Sequence, residues 1–328
     1  MSSAPGSLAP ESLPPASLAF VFPGQGSQSV GMLSDLAEHD QVAKTFSTAS
    51  AVLQYDLWER VQHGPADRLN VTECTQPAML TVGVAMWRLW QEQGGSRPAV
   101  MAGHSLGEYT ALVCSGALDF ETAVALVQFR GRIMQEAVPG GSGAMAAVLG
   151  LDDDQVIAVC AEISSEDAIV EAVNFNAPGQ VVIAGHRSGV ETALQAMKSA
   201  GARRAIELPV SVPSHSSLMR PAAEKLVARL AETDFQMPDN IDVYTVGVIK
   251  HQSVAGIREA LGKQLYMPVR WSETMQKVIH DDGARHIVEC GPGKVLTGLN
   301  RRIERDREIK MQGIFDTESL SDALQQAE

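Results

Sequence analysis

The chain has 328 residues, 45% of them hydrophobic and 20% charged, which is enough for one large globular unit or two modest ones with buried cores. Its 26 Lys and Arg residues against 39 Asp and Glu residues give a formal net charge of −13, and no basic run stands out, so nucleic acid is not expected as a partner. The four cysteines lack CxxC pairing and His partners at metal-ligand spacing, which argues against a zinc site and favours a reducing cytoplasm.

The first half of the sequence predicts strands that alternate with longer helices. Residues 1–17 lack the basic and apolar regions of a signal peptide and are predicted to be a flexible tail, and no later segment is apolar for long enough to span a membrane. Leu18–Phe22 predicts a first strand, Met32–Glu92 a mostly helical region and Pro98–Gly103 a second strand. The helix that follows is expected to end at Gly116, a residue suited to the left-handed conformation. This alternation is typical of an α/β fold with a largely parallel sheet.

A different order of elements begins at Gly143. Strand, helix, strand, strand, helix and strand are predicted in turn for GAMAAVLG, DDDQVIAVCAEIS, IVEAVNFN, QVVIAG, GVETALQAMKSAG and RRAIELPV. That order is the ferredoxin-like pattern. Residues 139–209 are therefore predicted to form a small subdomain inserted into the larger α/β unit, with one hinge at 140–143.

The last third of the chain returns to the larger unit. A helix is predicted for Pro221–Thr233, and strands are predicted for Asp242–Val248 and His286–Cys290. Residues 319–328 are short and polar enough for a surface helix or a tail, and we assign them as a C-terminal tail.

The segment GHSLG, at 103–107, matches the motif G-x-S-x-G between a predicted strand and a predicted helix. A sharp strand-to-helix turn brings the two backbones so close that the positions flanking the serine tolerate little beyond glycine. The helix N-terminus would direct its free N–H groups at charge that develops beside Ser105. The alternative is an ordinary serine in a glycine-rich turn, and the flanking strand and helix favour a nucleophile.

The base for such a serine has to come from one of eight histidines. His104 is adjacent to Ser105, but neighbouring residues on such a turn point in different directions. His215 follows the strand IELPVSV within VPSHSS, and open α/β sheets place their chemistry at the C-terminal ends of strands. His215 is thus a candidate base, although a helix-capping or surface histidine is the commoner use of such a position. Polar surroundings predict solvent exposure for four others: His39, His63, His251 and His280.

A charged residue interrupts the apolar face of the helix predicted in DFETAVALVQFRGRIMQEA. The face consists of Ala123, Leu126, Val127, Arg130, Ile133, Met134 and Ala137. A buried arginine needs a hydrogen-bonded anion, because an unpaired buried cation is costly. The anion is either an internal Asp or Glu or a carboxylate on the substrate, held bidentately, and helix periodicity does not decide between them.

Two further glycine-rich segments lack a phosphate-binding pattern. FPGQGSQ, at 22–28, fits neither common glycine motif, and presentation of backbone N–H groups to an oxyanion is its better functional use. The GPG sequence at 291–293 is assigned no chemistry, because a tight turn accounts for it.

Nine segments taken together are far more specific than the serine motif alone. In chain order they are FPGQGSQ, QPA, GHSLGEY, QFRGRIMQEAVP, GAMAAV, VNFNAPGQVVIAG, LPVSVPSHS, QLYMPVRW and GPGKVLTGL. They closely resemble malonyl-CoA:acyl carrier protein transacylases of fatty acid synthesis, from about Leu18 to Arg302. The resemblance implies an α/β-hydrolase-like catalytic subdomain, at 18–138 and 210–318, with a ferredoxin-like subdomain inserted at 139–209.

The resemblance also implies a role for each candidate residue. Ser105 matches the nucleophile of that family and His215 matches its base. Arg130 matches the arginine that binds the malonyl carboxylate, which favours the substrate as its anion. The backbone N–H groups of Gln25 and Leu106 match the oxyanion hole.

A backbone carbonyl replaces the third member of a catalytic triad in this resemblance. Gln264, in KQLYMPVRW, matches the residue whose carbonyl orients the histidine, so a Ser-His dyad is implied. The implied reaction is ping-pong transfer of malonyl from malonyl-CoA to acyl carrier protein through a malonyl-serine, with no cofactor and no metal ion. Residues 244–248 depart from the pattern, because Thr245 and Val246 stand where the family commonly has asparagines, and they are assigned no role.

The sequence says less about partners. An acidic carrier protein would need a basic patch on this acidic chain, and scattered arginines are candidates for it: Arg203, Arg204, Arg301 and Arg302. A monomer is expected. The alternative functions are a serine hydrolase or thioesterase, an acyltransferase that serves a polyketide synthase in trans, and a non-catalytic carrier-binding scaffold.

Overall fold

The computed structural model describes residues 17–306 and 308–327. The tail predicted for 1–17 lies outside these residues, except that Ser17 begins the first strand. The strands are β1 (Ser17–Phe22), β2 (Val100–Gly103), β3 (Gly143–Leu149), β4 (Val170–Ala177), β5 (Gln180–His186), β6 (Arg204–Glu207), β7 (Asp242–Tyr244), β8 (Ala284–Cys290) and β9 (Lys310–Ile314). The α-helices are α1 (Asp40–Leu53), α2 (Leu57–His63), α3 (Ala66–Leu69), α4 (Thr72–Glu92), α5 (Gly107–Cys114), α6 (Phe120–Glu136), α7 (Asp153–Ile163), α8 (Arg187–Ser199), α9 (Arg220–Ala231), α10 (Val254–Gln264), α11 (Trp271–His280), α12 (Val295–Ile303) and α13 (Thr317–Ala327).

The larger sheet is parallel and has the strand order β7-β2-β1-β8-β9. Successive side chains of β1 enter two different cores: Phe20 and Phe22 pack on one face of the sheet, and Ala19 and Val21 pack on the other. A parallel strand covered on both faces has a continuous apolar sequence, which is why LAFVF shows no polar alternation. The carboxyl ends of β1 and β2 lie next to each other, with Phe22 paired to Gly103.

The smaller sheet is antiparallel and has the strand order β4-β5-β3-β6. Helices α7 and α8 cover it and share a separate apolar core with its strands. Its elements follow one another along the chain as strand, helix, strand, strand, helix and strand between Gly143 and Glu207.

Two backbone hydrogen bonds join the smaller sheet to the larger part of the molecule. Phe175 N–H donates to the Val269 carbonyl at 2.9 Å, and Val269 N–H donates to the Val173 carbonyl at 2.8 Å. Strand β4 is thereby held beside Val269, two residues before α11 begins at Trp271. The carboxyl end of β4 lies close to the turn that follows β2, since Oδ1 of Asn176 is 2.8 Å from Nε2 of His104.

The structure corrects the prediction of a C-terminal tail at 319–328. Residues Thr317–Ala327 form α13, which packs against β9. Leu320 and Ala323 are fully buried in the larger core, because one face of this mostly polar helix is apolar. The predicted strand Asp242–Val248 is also shorter, since β7 ends at Tyr244 and the chain then turns through Val248 with φ of 69°.

Candidate active site

Ser105 occupies a strained turn between β2 and α5. Its φ is 52°, a left-handed value that is unusual for a residue with a side chain. A Cβ atom on Gly103 would lie 1.8 Å from the carbonyl carbon of Gly107, and one on Gly107 would lie 2.0 Å from the Phe22 carbonyl oxygen. Only glycine fits at the two flanking positions, as the steric reading of the motif requires.

His215 reaches this serine from the loop after β6. Its Nε2 lies 2.8 Å from Ser105 Oγ, and its Nδ1 lies 2.8 Å from the backbone carbonyl oxygen of Gln264. A carbonyl can only accept, so Nδ1 carries the proton and Nε2 is free to accept the serine hydroxyl. His104 does not compete, because its Nε2 lies 2.8 Å from Oδ1 of Asn176.

The surroundings of His215 keep its ring neutral. Burial lowers its pKa to about 3, and the nearby charge of Arg130 contributes to the lowering. The side chain is only 4% exposed. At neutral pH the imidazole is therefore unprotonated and can accept a proton.

Arg130 lies on α6 beside the same serine and is 1% exposed. Its Nη2 donates to Ser105 Oγ at 3.2 Å and to the side-chain oxygen of Gln264 at 2.8 Å. Its Nε is buried and has no hydrogen-bond partner within the described part of the chain. Burial lowers the pKa of the guanidinium, opposed chiefly by Tyr109 and Glu108. A buried cation with a free donor and neutral hydrogen-bond partners is a ready binding site for an anion.

These side chains surround a cavity of about 380 Å³. Five of the six residues singled out in the sequence line it: Gln25, Ser105, Leu106, Arg130 and His215. Gln264 is fully buried behind them and contacts the site through both its backbone carbonyl and its side chain. Leu106 directly precedes α5, so its N–H belongs to the unpaired, positive end of that helix.

Comparison with known proteins agrees with the acyl chemistry that this site suggests. The family model "Acyl transferase domain" matches residues 19–314. The malonyl CoA-acyl carrier protein transacylase of Salmonella typhimurium is 57% identical over 286 residues, which are 87% of this chain and 92% of that protein. The chain belongs to this acyltransferase family.

Solved structures of family members have the same fold. The malonyl CoA-acyl carrier protein transacylase of Coxiella burnetii superposes with a TM-score of 0.92 and 47% identity over 95% of this chain and 98% of that one. A malonyl-transacylase solved in complex with a type II PKS acyl-carrier protein gives a TM-score of 0.91 and 52% identity, covering 95% of this chain and 100% of that one.

Two buried side chains near the site were not found from the sequence. Glu108 is fully buried in the first turn of α5 and accepts a hydrogen bond from Gln264 Nε2 at 2.8 Å. His251, predicted to be solvated, has a side chain that is only 1% exposed and lies 3.0 Å from Glu108. The prediction for His251 was wrong because its polar sequence neighbours are turned outward while its own ring is covered. One sequence signal could have indicated the burial of Glu108: it directly follows the serine motif, on a helix with no other charged residue.

No helix in residues 17–306 and 308–327 is long and apolar enough to cross a membrane. Within the same residues, no group of three or more His, Cys, Asp or Glu side chains is arranged to hold a metal ion.

Proposed function

We propose that this chain transfers the malonyl group from malonyl-CoA to the phosphopantetheine thiol of acyl carrier protein, through a malonyl ester of Ser105. The observation that carries the proposal is the meeting of Ser105, His215 and Arg130 in one cavity, with Ser105 Oγ at hydrogen-bond distance from both His215 and Arg130. Ser105 and His215 supply acyl chemistry, and Arg130 supplies a site for the distal carboxylate of malonate.

The first half-reaction loads the enzyme. Ser105 Oγ attacks the thioester carbonyl of malonyl-CoA while Nε2 of His215 takes the hydroxyl proton. The backbone N–H groups of Gln25 and Leu106 hold the oxyanion of the tetrahedral intermediate. The C–S bond then breaks, the proton passes from His215 to the departing sulfur, and CoA leaves as the thiol.

The second half-reaction reverses the first with a different thiol. The phosphopantetheine thiol of the carrier gives its proton to His215 and attacks the malonyl ester. When the C–O bond breaks, Ser105 recovers the proton and the malonyl thioester departs on the carrier. The chemistry is ping-pong, and Gln264 keeps the imidazole oriented in both halves through its carbonyl.

Arg130 makes the cavity selective for carboxylate-bearing acyl groups. A malonyl carboxylate can pair with the guanidinium, whereas an acetyl group brings no anion into direct contact with it. No cofactor is needed, because His215 moves the protons and the thioester supplies the activated acyl group.

We infer an architecture that serves this chemistry in two parts. The larger part is α/β-hydrolase-like, as its parallel sheet and serine turn support, and the smaller part is ferredoxin-like, as its element order and its antiparallel sheet support. The carrier would dock at exposed basic residues, for which Arg203, Arg204, Arg301 and Arg302 remain candidates.

Mass spectrometry of the intact protein tests the nucleophile. After incubation with malonyl-CoA, the wild-type chain should carry one malonyl group, and Ser105→Ala should carry none. The control Ser188→Ala, at an exposed serine of α8, should load like the wild type. A malonyl adduct that persists in Ser105→Ala would show that the assignment is wrong.

The likeness to a malonyl-transacylase bound to a polyketide carrier favours a second candidate, in which the same reaction serves a polyketide synthase. Transfer assays with holo-carriers of both kinds distinguish the two. Faster malonyl transfer to the fatty acid carrier supports the first candidate, and faster transfer to the polyketide carrier supports the second.

A further inference from the structure

A buried acidic-histidine pair lies behind the nucleophile and has no part in the reaction described above. Glu108 and His251 have side chains that are 0% and 1% exposed, and Oε1 of the acid lies 3.0 Å from Nε2 of the histidine. Nδ1 of His251 is also buried and has no hydrogen-bond partner among residues 17–306 and 308–327. Because an ionised carboxylate can only accept, the contact requires the ring proton on Nε2. Glu108 therefore orients this ring.

The amide of Gln264 connects this pair to the cation of the cavity. Its Nε2 donates to Oε2 of Glu108 at 2.8 Å, and its Oε1 accepts from Nη2 of Arg130 at 2.8 Å. The backbone N–H of Val246 also donates to Oε2 of Glu108, at 3.2 Å. Glu108 thus fixes which end of the amide faces Arg130, because only the NH₂ end can donate to a carboxylate.

Charge balance shows why this arrangement matters for a carboxylate substrate. Before a substrate binds, the charges of Arg130 and Glu108 compensate each other across the Gln264 amide. A malonyl carboxylate adds a second negative charge to the same poorly solvated region, where the two carboxylates compete for one cation. A donor on the far side of Glu108 reduces that competition. His251 is the side chain in that position.

We propose that His251 is a positioning residue that sets the preference for carboxylate-bearing acyl groups. By donating to Glu108, it holds the acid so that Gln264 presents its oxygen to Arg130, and it leaves the guanidinium able to pair with the substrate carboxylate. Acetyl groups bring no charge and need no such balance. This inference rests on the proposed malonyl transfer, and it adds to the determinants of specificity a residue that is 121 positions away from Arg130 in the sequence.

The test compares loading from malonyl-CoA and acetyl-CoA, followed by CoA release, in the full-length chain. His251→Leu removes the donor at similar volume and should lower the malonyl-to-acetyl ratio of kcat/KM about tenfold, mainly through a higher KM for malonyl-CoA. His251→Gln keeps an N–H donor and should stay within about threefold of the wild-type ratio. The control His280→Leu breaks an exposed pair with Glu304 and should leave the ratio unchanged.

A further variant covers the case in which His251→Leu does not fold. The double variant Glu108→Gln with His251→Leu removes the buried charge together with its partner, and it should keep a ratio near that of the wild type. Equal losses on both substrates in His251→Leu, or a ratio lowered tenfold in the double variant, would overturn the proposal. Failure of the underlying function would be distinct, because the wild type itself would then show no malonyl group on Ser105.

Discussion

Replacing Arg130 with alanine tests how the cavity selects its acyl group. The guanidinium is 1% exposed, it donates to the neutral oxygens of Ser105 and Gln264, and its Nε is without a partner among the described residues. The substrate carboxylate would therefore be the anion that completes its pairing. Removal of one member of a buried, hydrogen-bonded ion pair costs about 3–5 kcal/mol. At 1.36 kcal/mol per tenfold change, this corresponds to a loss of about 10²- to 10⁴-fold in kcat/KM for malonyl-CoA.

The expected effect on acetyl-CoA has the opposite sign. Acetyl loading in the wild type places no anion in direct contact with the buried guanidinium, and the alanine variant removes that cation. Its kcat/KM for acetyl-CoA should therefore stay level or rise. Single-turnover CoA release measures both substrates with the same enzyme preparation. The control is Arg132→Ala, on the exposed side of the same helix, which should change neither rate. A folded Arg130→Ala protein that kept its preference for malonyl-CoA would refute the reasoning.

Three further predictions concern the base, the serine turn and the C-terminal helix. Because protonation inactivates His215 and its pKa is lowered to about 3, kcat/KM should stay level as the pH falls from 7 to about 5. Arg130→Gln removes a charge that lowers this pKa, so the acid limit of activity should move to higher pH. A fall in wild-type activity centred near the ordinary histidine pKa would contradict this. Gly107→Ala places a Cβ atom 2.0 Å from the Phe22 carbonyl oxygen and should lower Tm sharply. The control Gly298→Ala, in open space on α12, should raise the free energy of unfolding by about 0.5–1 kcal/mol. Equal Tm shifts in the two variants would argue against the close backbone approach beside Ser105. Leu320→Ala should cost about 2–5 kcal/mol in chemical denaturation, and a change below 1 kcal/mol or so would mean that α13 does not pack as described.

The features that could be predicted from the sequence have local physical causes. The serine turn can be predicted from the sequence because close backbone contacts require glycine at both flanking positions, Gly103 and Gly107. Arg130 is detectable because one charge on an apolar helical face conflicts with burial, and the structure does bury it. The first strand was found because burial on both faces of a parallel sheet leaves a continuous apolar run.

The features that were missed depend on residues brought together from distant parts of the chain. Glu108 and His251 are 143 positions apart, and nothing in the local sequence of either residue indicates that the other will cover it. Strand β9 was not predicted because its sequence, KMQGI, is short and contains a glycine. The C-terminal helix was assigned as a tail because its sequence is mostly polar, although Leu320 and Ala323 are buried in the larger core and Leu324 packs against it.

Transfer of a preloaded malonyl group tests the central claim most directly. The chain is loaded with malonyl-CoA, freed of CoA, and mixed with holo-acyl carrier protein, and both proteins are weighed over time. The malonyl group should leave Ser105 and appear on the carrier in equal amount, with little free malonate. An adduct that stays on the enzyme, or that is released to water while the carrier remains unloaded, would contradict a transferase in which Ser105 passes malonyl between two thiols.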